Sequence, residues 1–109
     1  MDMVIQRFEI YFASLDPTLG SEIKKTRPCL VVSPDEMNGY LKTVIIAPLT
    51  STIRKYPTRI DCYVDGRDGQ IALDQMRAID KVRLTKKIGQ LDPATSQQVL
   101  SVLRKMFAW

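Results

Sequence analysis

This sequence contains no histidine and only two cysteines, Cys29 and Cys62, among its 109 residues. The absence of histidine excludes the Ser-His-Asp and Cys-His arrangements of nucleophilic enzymes, in which an imidazole is the base. Because histidine and CxxC pairs are both missing, the sequence offers no cluster of metal ligands, and we expect neither a metal ion nor another cofactor. The two cysteines are interpreted as reduced thiols within strands of a cytoplasmic protein.

Long apolar runs and glycine-rich loops are also missing. No apolar stretch approaches the roughly 18 residues of a membrane span, and the opening MDMVIQRFEIYF lacks the basic region that begins a secretory signal. We therefore expect a cytoplasmic location and no membrane partner. Neither GxxxxGK[ST] nor GxGxxG occurs, which excludes the usual cradle for nucleotide phosphates. The length predicts a single domain, residues 1–109.

The charge balance is positive but small, with 16 Lys and Arg against 12 Asp and Glu and a formal net charge of +4. Such a surplus is compatible with a polyanionic partner and equally with solubility alone. Its distribution is more informative, because three separate basic segments could converge on one face. They consist of Lys24, Lys25 and Arg27, of Arg54, Lys55 and Arg59, and of Arg77, Lys81, Arg83, Lys86 and Lys87.

Alternating and β-branched runs predict that the chain is built mainly from strands. In the first run, RFEIYFAS, we expect Arg7, Glu9 and Tyr11 to form a face in water. DGRDG, residues 65–69, is interpreted as a turn between two strands. The predicted strands lie at residues 7–14, 29–32, 43–49, 59–64 and, as one or two short pieces, 70–79.

Two segments carry helical signals. SPDE, residues 33–36, matches a capping box that begins at Ser33, with proline at the first helical position, and predicts one or two helical turns. LDP, residues 91–93, predicts an Asp92 cap and an amphipathic helix of about 14 residues. Several strands followed by one helix favour a mainly β fold, a small twisted antiparallel sheet or partly open barrel packed by that helix. Its apolar stripe contains Val99, Val102, Leu103, Met106 and Phe107.

The residue types that remain for catalysis are arginine, lysine, acids and hydroxyls at predicted strand ends. RNA cleavage is a reaction that such a set can perform without a metal, because the substrate supplies its own nucleophile, the adjacent 2′-hydroxyl. An arginine can donate two N–H groups to the phosphate and stabilise the charge that develops there. Arg27 precedes Pro28, which favours an extended backbone at a strand entrance. Glu22 is a candidate base, and Thr50 with Ser51 could donate hydrogen bonds to phosphate.

Each of these residues also has a structural alternative. Residues 22–25 could form a solvated loop, and residues 50–51 could be turn or cap residues. Arg27 could be held in a structural ion pair with Asp74 or Asp80. The segment DQMR that begins at Asp74 could be an edge strand whose polar side chains face water.

Three segments, LDPTLGSEIKKTRPCLVVS, TVIIAPLTS and ALDQMRAIDKVRLTKKIGQL, follow one another with compatible spacing. In this order they resemble the MazF/PemK (Kid) family, the toxins of type II toxin–antitoxin systems. The resemblance implies an SH3-like barrel assembled as a two-fold homodimer. It implies a metal-independent endoribonuclease that cuts single-stranded RNA, chiefly messenger RNA, at short motifs, leaves a 2′,3′-cyclic phosphate and a 5′-hydroxyl, and inhibits growth. It further implies a MazE-like antitoxin that covers the RNA groove, and antitoxin-mediated binding to operator DNA.

The resemblance also implies roles for individual residues. Arg27 of TRP is similar to the family's catalytic arginine and Thr50 of PLTS to its catalytic threonine, with Ser51 beside it, while Glu22 of GSE matches an acidic position implicated in some members. Many members of the family have a Gly-Asp or Gly-Glu pair at the start of the first strand, where this chain reads Gln6-Arg7-Phe8-Glu9. RNA binding and base recognition are expected from residues of the GSE loop, the segment after Ser51 and DQMR. These are Thr18, Gly20, Ser21, Lys24, Lys25, Tyr56, Pro57, Asp74, Gln75 and Arg77.

A gyrase-poisoning toxin family that uses the same barrel provides an alternative function without catalysis. Its action is associated with the end of the C-terminal helix, where this chain has Met106, Phe107 and Trp109. A nucleic-acid-binding module that has lost activity is a further form of this alternative. Packing of Trp109 in the core or in a dimer would explain that residue equally well.

Overall fold

A computed structural model describes residues 4–15, 20–21 and 26–109 of the chain. In these residues seven strands form one antiparallel sheet, accompanied by two α-helices and two single-turn 3₁₀ helices. The strands are β1 Glu9–Ser14, β2 Thr26–Val31, β3 Thr43–Thr50, β4 Arg59–Val64, β5 Arg67–Ala72, β6 Arg77–Asp80 and β7 Leu84–Gln90. The helices are α1 Asp35–Tyr40 and α2 Pro93–Phe107, and the 3₁₀ helices span Leu73–Gln75 and Lys81–Arg83.

The long strand β3 organises the sheet. The strand order is β4-β5-β3-β2-β1-β7, and β6 pairs with the first half of β3 while β5 pairs with its end, at Leu49 and Thr50. Because one strand serves two successive partners along the same edge, the sheet curls instead of lying flat. The predicted mainly β fold, a small twisted antiparallel sheet with one C-terminal helix, is confirmed.

The curled sheet is packed on both faces, and successive residues of β1 enter two different cores. Ile10 belongs to the cluster beneath α2, whereas Tyr11 and Ala13 belong to the cluster on the opposite face. The predicted water-facing side of β1 is therefore wrong, since Glu9 is 4% and Tyr11 2% exposed. Burial of these polar groups is possible because they are paired. The Tyr11 hydroxyl donates to Glu9 Oε1 at 3.0 Å, and Lys87 Nζ lies 2.5 Å from Glu9 Oε2.

The entrance to β1 contains a backbone conformation that favours glycine. Phe8 has φ 71°, in the left-handed region, and β1 begins only at Glu9, two residues later than predicted. Phe8 keeps its place through its N–H, which donates to the Val31 carbonyl at 2.7 Å, and through partial burial of its ring against the core beneath α2. A glycine at this position would adopt the same conformation without strain.

Helix α1 forms where it was predicted, but its capping box does not. The N-cap residue is Pro34, which has no side chain that could cap. Ser33 is buried and connects α1 to the sheet instead, because its hydroxyl donates to Asn38 Oδ1 at 2.5 Å and accepts from the Ile45 N–H at 3.1 Å.

Helix α2 agrees closely with its prediction. Asp92 Oδ2 accepts from the Thr95 N–H at 2.9 Å, and proline occupies the first turn. Val99 is fully buried, and Val102, Leu103 and Met106 pack partly buried beside it. Phe107 is the exception at 73% exposed, because it lies at the edge of the helical stripe. None of the helices in the described parts of the chain is long and apolar enough to cross a membrane.

Two features of the sheet differ from the sequence pattern. The turn between β4 and β5 is only Asp65-Gly66, with φ 54° and 75°, so Gly69 lies within β5. These angles are those of the type I′ turn that Asp-Gly favours. Strand β7, residues 84–90, was not predicted because its central lysines break the apolar alternation; it lies at an edge of the sheet, where lysine is common.

Candidate active site

The ends of β2 and β3 bring Arg27 and Thr50 next to each other. In this antiparallel pair Cys29 is opposite Pro48, so Arg27 and Thr50 each lie two residues beyond the last pair, at the same end of the two strands. The Arg27 Nη1 atom donates to the carbonyl of Leu49 at 3.4 Å, beside Thr50 itself. The two residues that the sequence predicts as catalytic therefore lie at the same end of two adjacent inner strands, β2 and β3.

The hydroxyl of Thr50 sits at the end of β3, in a site that is 8% exposed. Its Oγ1 accepts from the Thr52 N–H at 3.1 Å, as expected of the turn or cap residue that is the structural alternative for Thr50. A hydroxyl that accepts in this way retains its own proton for donation, as a phosphate oxygen requires. Ser51 is exposed beside it.

Gly69 is a site-forming residue that the sequence analysis missed. A Cβ atom at this position would lie 2.9 Å from the carbonyl oxygen of Thr50, closer than side-chain carbons approach oxygen. Strand β5 can therefore pair with the end of β3 only because residue 69 has no side chain. The signal was present in DGRDG, but we interpreted both glycines as turn residues.

Arg77 lies close to the same strand ends. Its Nη1 donates to the carbonyl of Leu15 at 3.2 Å, and the charges of both Arg77 and Arg27 act on the buried thiol of Cys29. Burial raises the pKa of Cys29 to about 12, and the two arginines oppose that rise. Arg83 reaches the neighbouring carbonyl of Ser14 at 3.2 Å. Arg27 of the first basic segment and Arg77 and Arg83 of the third therefore lie close together near the end of β1.

The lysines near these arginines make other contacts. Lys81 donates to the Asn38 carbonyl in α1, and Lys87 pairs with Glu9. Both contacts are internal to the fold, so these two lysines serve packing.

Asp74 lies in the 3₁₀ helix after β5 and forms an ion pair. Arg59 Nε and Nη2 donate to the two carboxylate oxygens at 2.7 and 3.1 Å, and the Thr58 hydroxyl donates to Oδ1 at 3.0 Å. Arg59 holds the pKa of Asp74 below its ordinary value, and Asp74 raises the pKa of Arg59. Asp74 therefore pairs with Arg59 rather than with Arg27, and DQMR is not an edge strand.

The same arginine supports Tyr56. The Arg59 Cζ atom lies 5.2 Å from the centroid of the Tyr56 ring, a cation–π distance, while half of the tyrosine remains exposed. The ring is therefore held from one side and presents surface to a ligand on the other.

A groove of about 780 Å³ separates the segment after β3 from helix α2. Gln70, which is opposite Thr50 in the β3–β5 pair, lines this groove, so the groove lies beside the end of β3. The Gln70 side chain is fixed, because Nε2 donates to Asp61 Oδ1 at 2.9 Å and Oε1 accepts from the Arg54 N–H at 3.0 Å. The groove is lined by basic, aromatic and amide groups, among them Arg54, Lys55, Tyr56, Arg59 and Gln98.

The remaining predicted site residues are distributed as follows. Gly20, with φ 59°, Ser21 and Pro57 are exposed, and Gln75 is half-buried. The predictions for Thr18, Glu22, Lys24 and Lys25 lie outside the described residues. Within the described residues, no group of three or more His, Cys, Asp or Glu side chains could hold a metal ion.

Comparison with known proteins identifies the family. A sequence model of the PemK-like, MazF-like toxins of type II toxin–antitoxin systems matches residues 6–107. The chain belongs to this family. The endoribonuclease EndoA of Bacillus subtilis (strain 168) is 40% identical over 108 residues, which cover 94% of this chain and 93% of EndoA. The MazF/PemK resemblance of the three motif segments is thereby confirmed.

Solved structures of MazF/PemK toxins share the fold. A MazF crystal structure from Deinococcus radiodurans matches with a TM-score of 0.85 at 24% identity, over 99% of this chain and all of that one. An endoribonuclease from a mycobacterial species, solved in complex with its cognate antitoxin, matches with a TM-score of 0.80 at 24% identity, over 96% of this chain and 98% of that one. The curled antiparallel sheet with a C-terminal helix is the architecture of this family.

The end of α2 bears on the non-catalytic alternative. Phe107 and Trp109 are both exposed, so packing of Trp109 in the core is not the reason for this residue. Met106, in contrast, packs partly buried against the core beneath α2.

Proposed function

We propose that this chain is a cytoplasmic, single-domain toxin that cuts single-stranded RNA, mainly messenger RNA, at a short sequence motif and without a metal ion. The observation that carries the proposal is the placement of Arg27 and Thr50 at the same end of the paired strands β2 and β3, with the Arg27 guanidinium at the Leu49 carbonyl. Family membership and the 40% identity to a protein named as an endoribonuclease support it.

The chemistry is an internal transfer at phosphorus. The 2′-oxygen of the nucleotide attacks the adjacent phosphorus, a base takes the 2′ proton, and the bond from phosphorus to the 5′-oxygen breaks. The leaving 5′-oxygen takes up a proton, which yields a 2′,3′-cyclic phosphate and a 5′-hydroxyl. Arg27 stabilises the charge on the phosphorane oxygens, and Thr50 with Ser51 positions the phosphate by donating hydrogen bonds. Glu22 is the proposed base.

We assign base recognition to the groove between the segment after β3 and helix α2. Tyr56 offers an exposed ring for stacking on an unpaired base, supported from below by Arg59. Asp74 acts through Arg59, because its carboxylate already accepts two N–H groups from that side chain. Other contacts to RNA are proposed for Thr18, Gly20, Ser21, Lys24, Lys25, Pro57, Gln75 and Arg77.

The proposed protein partners follow from the family. Solved relatives include complexes with a cognate antitoxin, and we propose that a MazE-like antitoxin binds this chain and mediates operator DNA binding. A homodimer is proposed as the working form, because Ile53, Phe107 and Trp109 are exposed apolar side chains that a second copy would bury. Light scattering on the purified protein tests the dimer.

The proposed activity is tested with purified protein and a long unstructured RNA in EDTA. Discrete cuts, mapped by primer extension and ending in cyclic phosphates, are expected; Arg27→Ala purified in parallel should give none and thereby exclude a contaminating nuclease. Smooth degradation, dependence on a metal, or no cleavage would overturn the proposal. Inhibition of DNA supercoiling without RNA cleavage would favour the gyrase-poisoning alternative.

A further inference from the structure

Past Ala13, none of the strands in the described parts of the chain borders β1 on its β7 side. Its last pair with β7 is Ala13 with Leu84, whereas its pairing with β2 continues through Ala13 with Arg27 and Ser14 with Thr26. The carbonyls that follow accept from side chains: Arg83 Nη1 donates to Ser14 and Arg77 Nη1 to Leu15, each at 3.2 Å. Two guanidinium groups thus replace the missing strand, since partly buried carbonyls need donors.

Both arginines extend from well-anchored elements. Arg77 begins β6 and is paired with Ile46 of β3. Arg83 ends the 3₁₀ helix Lys81–Arg83, in which the Asp80 carboxylate caps the Val82 N–H at 3.0 Å and the Lys81 N–H donates to the Lys42 carbonyl at 2.9 Å. The two side chains are half-buried, which limits their motion. They therefore tie the end of β1 to β6 and to the 3₁₀ helix Lys81–Arg83.

We propose that Arg77 and Arg83 are positioning residues, which hold the end of the β1–β2 hairpin and thereby set the location of Arg27 relative to Thr50. The inference rests on the proposed ribonuclease function and assigns a role to Arg83, for which the sequence suggested only a basic segment. It also gives Arg77, predicted as an RNA contact, a task within the protein. Since Arg27 is the sheet partner of Ala13, a shift of β1 at this point shifts Arg27.

The competing role is phosphate steering by charge. A steering cation acts mainly on substrate binding, so its loss raises KM and flattens the salt dependence, and lysine can replace it. A positioning residue acts on the geometry of the transition state, so its loss lowers kcat. The two roles are separated by measuring kcat, KM and the carbonyl contact itself in the same variants.

The experiment uses Arg77→Gln, Arg83→Gln and the two Arg→Lys variants, with Arg67→Gln as control because Arg67 is an exposed arginine beside the β4–β5 turn. Steady-state cleavage of a short RNA gives kcat and KM, and NMR gives the backbone ¹³C carbonyl shifts of Ser14 and Leu15. We expect the Gln variants to move these shifts and to lower kcat about tenfold or more, with KM changed less than about threefold. The Lys variants keep the positive charge. We therefore expect their kcat to fall wherever the carbonyl shift moves, although the charge is unchanged. The control should equal the wild type in both.

Three results would overturn the positioning role: carbonyl shifts that stay in place in the Gln variants, kcat that does not follow the shifts, or a rise in KM alone that lysine restores. Thermal unfolding is measured for every variant, and a Gln variant that does not fold leaves its Lys counterpart to decide. Failure of the wild type to cleave any RNA would instead overturn the proposed function, which distinguishes the two failures.

Discussion

Two arginines near the candidate site meet opposite kinds of acceptor. Arg59 donates to both oxygens of a carboxylate, Asp74, at 2.7 and 3.1 Å, whereas Arg77 donates to the neutral carbonyl of Leu15 at 3.2 Å. The first contact offsets the charge of the guanidinium, and the second does not. On the groove side of the site, at Tyr56 and Arg59, the ion pair thus neutralises Arg59. On the hairpin side, at the ends of β1 and β2, Arg77 keeps its positive charge close to Arg27.

The difference between the two arginines indicates that the hairpin side suits the phosphate of the RNA and the groove side suits a base. Positive charge in a half-buried place favours the phosphate, where charge develops during cleavage. An arginine already engaged by a carboxylate is better suited to hold an aromatic ring, and Arg59 lies at 5.2 Å from the Tyr56 centroid. We therefore expect changes on the hairpin side to act on kcat and changes on the groove side to act on KM.

The largest effect is expected from Arg27 on the hairpin side. Arg27→Ala should lower kcat by a hundredfold or more, since removal of one preorganised donor to an oxyanion costs about 10²–10³ in rate. Arg27→Lys should restore little, because an ammonium group does not provide the planar two-donor geometry. Cleavage kinetics and circular dichroism check this; normal cleavage by a folded Arg27→Ala would remove Arg27 from the mechanism.

A substitution at Gly69 tests the close contact between β5 and Thr50 at the end of β3. In Gly69→Ala the new methyl group would lie 2.9 Å from the Thr50 carbonyl, so β5 or Thr50 must move. We expect a loss of about 1–3 kcal/mol in the free energy of unfolding, as for other overpacked sites, together with lower kcat. Gly89→Ala is the control, because nothing lies within 4 Å of a Cβ there. Equal stability of the two variants in urea would contradict the close approach.

Tyr56 tests the groove side. Tyr56→Ala should raise KM about tenfold with kcat nearly unchanged, because stacking on one base contributes about 1–3 kcal/mol. Tyr56→Phe keeps the ring and should bind RNA like the wild type. If the alanine variant lowers kcat instead, the division between the two sides of the site is wrong.

The smallest effect is expected from the ion pair itself. Asp74→Asn should reduce the free energy of unfolding by about 1–2 kcal/mol at neutral pH, since it removes hydrogen bonds to a charged acceptor. Arg59 lowers the pKa of Asp74 below its ordinary 3.8, so the ionised carboxylate favours the folded state. The difference between wild type and variant should be constant above that value and shrink as the pH falls through the lower folded-state pKa. Urea unfolding at a series of pH values from 7 down to 3 measures it, and a difference that does not begin to shrink below pH 3.8 would exclude this origin.

Strong local patterns were enough to predict much of the fold. The bounds of β4, residues 59–64, and the Asp92 cap of α2 agree with the sequence because alternation and capping are local properties. Strand β7 was missed because an edge strand needs no apolar alternation, and the burial of Tyr11 was missed because it depends on Glu9 and a second core.

In the candidate site, too, the features that depend on local sequence were predicted and those that depend on tertiary contacts were not. The motifs placed Arg27 and Thr50 correctly at strand ends, since both follow from the strands that carry them. The roles of Gly69 and Arg83 depend on contacts with residues 19 and 69 positions away in the chain, at Thr50 and Ser14. The partner of Asp74 is likewise set by the tertiary fold, which no spacing in the sequence shows.

The pairing of β1 with β7 also orders events during synthesis. The first strand emerges from the ribosome early, but β7, which borders it, and the two arginines that hold its end all belong to residues 77–90. Contacts between segments so far apart in the chain form late and slowly. A nascent chain that has already exposed Arg27 and Thr50 therefore still lacks the strand that borders β1 and the two arginine contacts at its end.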